Sequence, residues 1–87
     1  MSFWQYMLEY YVEGFTASAC RCLGTNELDA ETQFLIRFYS YCGINLTREW
    51  LAGSDESAEE LVQLYYKAMP TKLQEIYQTD LDGMDKR

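Results

Sequence analysis

The chain has 87 residues, enough for one small domain. Fourteen acidic side chains against seven basic ones leave a net charge of −7, and there is no histidine; the clustered Lys and Arg of a nucleic-acid binder and the commonest residue of hydrolytic and zinc sites are missing. Aromatic residues make up 16% of the chain and hydrophobic ones 48%, which excludes a disordered polymer.

The first predicted helix covers Ser2 to Leu23. Trp4, Met7, Leu8, Tyr11, Phe15, Ala19, Cys22 and Leu23 recur at three- and four-residue spacing, opposite a polar stripe of Gln5, Glu9, Glu13 and Thr16. Gly14 inside it implies close packing against a neighbour or a kink. Gly24 stands where a left-handed helix cap wants glycine.

Asp29 is the N-cap candidate for a second helix from Ala30 to Ala52, with Gly53 as its stop. Between Gln33 and Thr47 the one charge is Arg37. Phe34, Leu35, Ile36, Phe38, Tyr39, Tyr41, Cys42, Ile44 and Leu46 cover most of its circumference. A helix apolar nearly all round must be covered on more than one side.

Ser57 and Glu60 fit a capping box that opens a third helix, with Ala58, Leu61, Val62, Tyr65, Ala68 and Met69 on its apolar face. Pro70 interrupts the pattern. Thr71 and Gln74 make a second capping-box match, so a short fourth helix is expected over Lys72 to Gln78. Residues 80–87 read as a frayed tail. No segment alternates with period two. The predicted fold class is all-α: three long helices plus a short fourth.

Chemistry is sparse. Three cysteines, Cys20, Cys22 and Cys42, are an odd number and read as buried thiols of a reducing cytosol. The carboxylates sit on wet helix faces and at the start of helix three, where the helix dipole favours them. No nucleophile stands beside a base, and no glycine-rich phosphate loop occurs. No enzymatic activity, metal or cofactor is expected. No apolar run is long enough to span a membrane, no signal peptide is visible, and a cytoplasmic location is expected.

A chain this short hides only about 60–65% of its unfolded surface as a monomer. Fourteen aromatic side chains are hard to bury in it. Trp4, Tyr11, Phe15, Phe34, Phe38, Tyr41 and Tyr65 are either plain core or the lining of an apolar pocket with tyrosine hydroxyls as polar handles. The outer side of helix two, together with the apolar face of helix three, predicts a homodimer in which each copy contributes a pair of antiparallel helices to a four-helix bundle; the alternative is a monomer whose own fourth helix covers that side.

The run Phe38-Tyr39-Ser40-Tyr41-Cys42-Gly43-Ile44-Asn45-Leu46-Thr47-Arg48-Glu49-Trp50-Leu51 resembles the penultimate helix of TetR-family transcriptional regulators. It is most similar to the subgroup related to dihydroxyacetone-kinase regulators. Ser57-Ala58-Glu59-Glu60-Leu61 matches the helix start that follows in that subgroup, and the likeness covers Glu31 to Met69. The small residue that the subgroup carries about two turns before the Trp is Cys42 or Gly43 here.

The resemblance implies that residues 1–79 are a C-terminal regulatory and dimerisation domain. Its dimer face would hold Phe38, Cys42, Leu46, Trp50, Leu61 and Tyr65. A small-molecule effector would be held by Trp4, Tyr11, Phe15 and Tyr41. DNA would be a partner only through an N-terminal helix-turn-helix domain that these residues do not include. The competing expectation is a standalone acidic helical interaction module or inhibitor, for which the net charge speaks loosely.

Overall fold

The computed structural model describes residues 2–85, with side-chain surroundings for 2–78. Four helices follow one another: α1 (Phe3–Leu23), α2 (Ala30–Leu51), α3 (Ala58–Lys67) and α4 (Thr71–Asp85). No strand occurs among the described residues.

The helix ends follow local chemistry. Ser2 caps α1 by accepting the Gln5 N–H at 3.1 Å. At its other end Gly24 adopts φ 66°, and the Gly24 and Thr25 N–H groups bond back to Arg21 and Cys20 carbonyls. That pair of bonds needs a left-handed residue, which glycine supplies without a Cβ penalty. Asp29 caps α2 through the Thr32 N–H at 2.8 Å, as the sequence predicts. Ser57 caps α3 through the Glu60 N–H at 3.1 Å.

Several expectations are corrected. The short helix is α3, with 10 residues, whereas α4 has 15. Ala68 and Met69 leave the helical path before Pro70, which has no N–H to continue it. α4 then runs past Gln78 to Asp85, through most of the segment expected to be a frayed tail, because no proline and no glycine before Gly83 interrupts it. Residues 86 and 87 lie outside the described residues. The Thr71–Gln74 capping box does not form: Gln74 Nε2 donates to the Met69 carbonyl at 2.6 Å instead. Gly14 packs against nothing, since a Cβ there would meet open space, and α1 is unbroken across it.

The core is built by α1, α2 and α4. Ala19 from α1, Ile36 and Tyr39 from α2, Leu73 and Tyr77 from α4, and Met69 just before α4 are buried together. Val12, Phe15, Leu28, Leu35, Tyr65 and Ile76 pack around them. α3 contributes no buried residue.

Two buried tyrosines, Tyr39 and Tyr77, and the half-buried Tyr65 tie the helices to each other by their hydroxyls. Tyr77 Oη donates from α4 to the Phe15 carbonyl of α1 at 2.7 Å. Tyr65 Oη donates from α3 to the Tyr39 carbonyl of α2 at 2.7 Å, and Tyr39 Oη donates back to the Tyr65 carbonyl. Each bond gives a buried hydroxyl its partner, without which burial would be costly. Burial pushes the ionisation of all three phenols far up, so they remain donors at any ordinary pH.

Candidate functional site

The place where α3 crosses α2 sets the geometry of the site. Tyr65 lies flat on Tyr39, ring centroids 4.0 Å apart and planes 5° from parallel. This approach depends on Gly43, where a Cβ would stand 2.7 Å from Tyr65 Oη. Met69 N–H bonds to the Tyr66 carbonyl, which leaves the Tyr65 carbonyl at the end of α3 to accept from Tyr39. Two residues of α2, Gly43 and Tyr39, therefore hold α3.

Beside this clasp a cleft of about 130 Å³ opens between three helices. Tyr11 and Phe15 of α1 form one wall, Gly43, Leu46 and Thr47 of α2 the floor, and Leu61, Val62, Tyr65 and Tyr66 of α3 the other wall. The Tyr11 and Phe15 rings are stacked with centroids 6.5 Å apart. No acidic or basic side chain lines the cleft, and Thr47 Oγ1 is turned to the Gly43 carbonyl at 2.8 Å. It suits a small, neutral, largely apolar molecule; an apolar cavity of about 150 Å³ is enough to hold benzene. No lining residue is a nucleophile with a base beside it.

The structure thus brings together Tyr11 and Phe15, from the predicted pocket, with Leu46, Leu61 and Tyr65, from the predicted dimer face. The remaining predicted residues lie elsewhere. Trp4 does not line the cleft; the Arg48 guanidinium stands 5.3 Å from its ring centroid. Tyr41 lies on the opposite flank of α2, in an open groove with Phe34, Arg37, Phe38, Cys42 and Asn45. Trp50 is half-buried, and its indole N–H donates to the Glu56 carbonyl at 2.6 Å, pinning the α2–α3 connection.

Phe34, one of the aromatics expected in the core or a pocket, lines that open groove instead. It is exposed and stacks on Phe38 with centroids 6.3 Å apart. The signal for it was the spacing of Phe34, Phe38 and Tyr41, which places them on one helix face. Gly43, Thr47, Val62 and Tyr66 in the cleft carried no comparable signal, because their role depends on where α3 folds back.

Away from the cleft, Asp29 joins α2 to α4. Its bonds to Thr32 hold its carboxyl down at about 2, helped by Lys72 Nζ at 3.0 Å. Lys72 also reaches Glu31 at 2.9 Å, and these two carboxylates hold the ammonium above its usual range. Cys20, Cys22 and Cys42 are half-buried and form no disulfide. Among the described residues no cluster of Cys, Asp and Glu could hold a metal ion, and no helix is long and apolar enough to cross a membrane.

No family model, no curated protein and no solved structure matches the chain.

Proposed function

We propose that this chain is the effector-sensing and dimerisation domain of a TetR-like transcriptional regulator and does not read DNA by itself. The observation that carries the reading is the uncharged cleft between α1, α2 and α3, one wall of which is a helix with no buried residue. A helix held chiefly by one tyrosine pair can change position at low cost, and a ligand that binds one position better shifts the balance between them. The uncovered aromatic flank of α2 supplies the surface for a second copy. Such a shift would reach a DNA-reading domain through the spacing of the two copies.

The test is thermal unfolding of the full chain with toluene and with benzoate as probes. Toluene is expected to raise the midpoint. At about ten times its Kd it adds about 1.4 kcal/mol, or roughly 5–10 °C for a domain of this size. Benzoate, whose charge has no partner in the cleft, is expected to leave the midpoint where it was. Leu61→Trp, which fills the cleft from α3, should abolish the toluene effect. No shift with toluene at its solubility limit would sink the sensing reading. A gel shift by this chain on duplex DNA at physiological salt would sink the claim that it does not read DNA.

A further inference from the structure

We infer that two copies of this chain pair antiparallel along the outer face of α2, in one register that its sequence specifies. The inference sharpens the dimerisation half of the function above, and its test makes no use of the ligand cleft.

α2 has two faces. Thr32, Ile36, Tyr39 and Ser40 are buried toward α1 and α4. On the opposite side Phe34 is 65% exposed, Phe38 51% and Tyr41 47%. These three belong to a longer seam, Glu31, Phe34, Phe38, Tyr41, Asn45 and Arg48, spaced three, four, three, four and three residues apart. That alternation is the heptad pattern of a helix that packs on another helix, with Glu31, Phe38 and Asn45 at one set of positions and Phe34, Tyr41 and Arg48 at the other. Among the described residues, α1 reaches this seam beside Tyr41 and at Arg48, whose guanidinium stands 5.3 Å from the Trp4 ring centroid, while Phe34, Phe38, Asn45 and Arg48 itself stay exposed.

The end charges choose the partner and its direction. In an antiparallel pair each position of the first set meets one of the second. Centred between Phe38 and Tyr41, this sets Phe38 against Tyr41 of the second copy and Phe34 against Asn45. Both ends then bring Glu31 of one copy to Arg48 of the other. A parallel pair would match Asn45 with itself, but would set Glu31 against Glu31 and Arg48 against Arg48. Like charges facing each other at both ends oppose that arrangement, whereas two opposite-charge pairs favour the antiparallel one. The Glu31 carboxylate is engaged by Lys72 yet stays largely exposed, so it can accept from Arg48 of a second copy as well. A single apolar seam flanked by self-complementary charges is what a two-fold pair requires.

The experiment is solution mass by size-exclusion chromatography with light scattering, on the full chain, from about 100 µM down to about 1 µM at 0.15 M salt. Wild type is expected at twice the mass of one chain at the upper concentration. Phe38→Glu buries a charge in the seam and should weaken pairing about a hundredfold, with unchanged helical circular dichroism because Phe38 makes no core contact. Orientation is read by cross-linking. In a chain with Cys20, Cys22 and Cys42 replaced by Ala, Glu31→Cys and Arg48→Cys proteins are mixed and oxidised. The expected product joins position 31 to position 48. If the cysteine-free chain does not fold, charge exchange decides the orientation instead. Glu31→Arg and Arg48→Glu should each weaken pairing about tenfold, and the double variant should restore it. A single-chain mass at every concentration overturns the inference. So does a Phe38→Glu dimer as tight as wild type, a product joining 31 to 31, or a double variant that fails to restore pairing. None of these outcomes touches the toluene result, so failure here and failure of the sensing reading are distinguishable.

Discussion

Tyr39 and Tyr65 face each other as equals: their rings lie parallel at 4.0 Å, and each hydroxyl donates to the backbone carbonyl of the other. The two bonds are not equivalent. The Tyr39 carbonyl lies inside α2, where the helix supplies another donor, whereas the Tyr65 carbonyl lies in the last turn of α3. Tyr65→Phe should therefore cost about 0.5–1.5 kcal/mol, the usual worth of one hydrogen bond. Tyr39→Phe strips the end of α3 of its acceptor's partner and should cost about 1–3 kcal/mol. Urea denaturation ranks the two, and amide exchange should show the Tyr39 variant losing protection in α3 first. Equal costs would contradict the asymmetry.

Gly43→Ala pits two effects against each other. Alanine favours the helix by about 1 kcal/mol over glycine. Against this, its Cβ would stand 2.7 Å from Tyr65 Oη and 2.9 Å from Cζ, so the ring must leave its stack. Overpacking of this kind costs about 1–3 kcal/mol, and it also breaks the bond to the Tyr39 carbonyl, so a net loss is expected. In a Tyr65→Ala background the same change should stabilise. A double-mutant cycle in urea measures both, and the reversal of sign is the decisive result.

Ser40 is buried in α2, and its Oγ has no hydrogen-bond partner. Ser40→Ala removes an unpaired hydroxyl and improves helix propensity, so stability should stay level or rise by up to about 1 kcal/mol. A loss of more than about 1 kcal/mol would show that the hydroxyl has a partner in solution.

Asp29 should make the chain acid-sensitive in a defined window. Its bonds to Thr32, and then Lys72, lower its carboxyl from 3.8 to about 2 in the folded chain. The lowered folded value means the stabilisation is complete above 3.8 and fades as pH falls toward 2. Asp29→Asn retains a cap oxygen but cannot titrate there. The gap in melting temperature between wild type and Asp29→Asn should thus shrink between about pH 4 and about pH 2. A gap constant across that range would mean that the carboxylate is not held down.

Three helix ends were legible because capping is local, whereas the Thr71–Gln74 box that the same rule predicts does not form. Ser57, Asp29 and Gly24 act on residues within four positions, and each does what its neighbours in sequence imply. The lengths of α3 and α4 were not. The apolar rhythm from Leu61 runs on through Met69, and only the path of the chain shows that Met69 turns inward to the core while α3 has stopped. Two of the four predicted pocket residues, Tyr11 and Phe15, line the cleft, since they share one face of α1. Trp4 shares that periodicity but sits near Arg48, a relation set by how α2 lies along α1. Leu46, Leu61 and Tyr65 are apolar positions that need a cover. Whether α3 or a second copy provides it depends on a turn at Gly53, which adopts φ 122°. The sequence pattern is the same in both cases.

The core is closed by residues made after α1 and α2. Ile36 and Tyr39 of α2 wait for Met69, Leu73 and Tyr77, the last of which follows the end of α2 by more than two dozen positions. At about 5–20 residues per second, a ribosome holds α1 and α2 for roughly one to five seconds with their shared apolar side open. During that interval the nascent chain is a natural client for chaperones, and a pause in translation before Leu73 would lengthen its exposure more than a pause anywhere later.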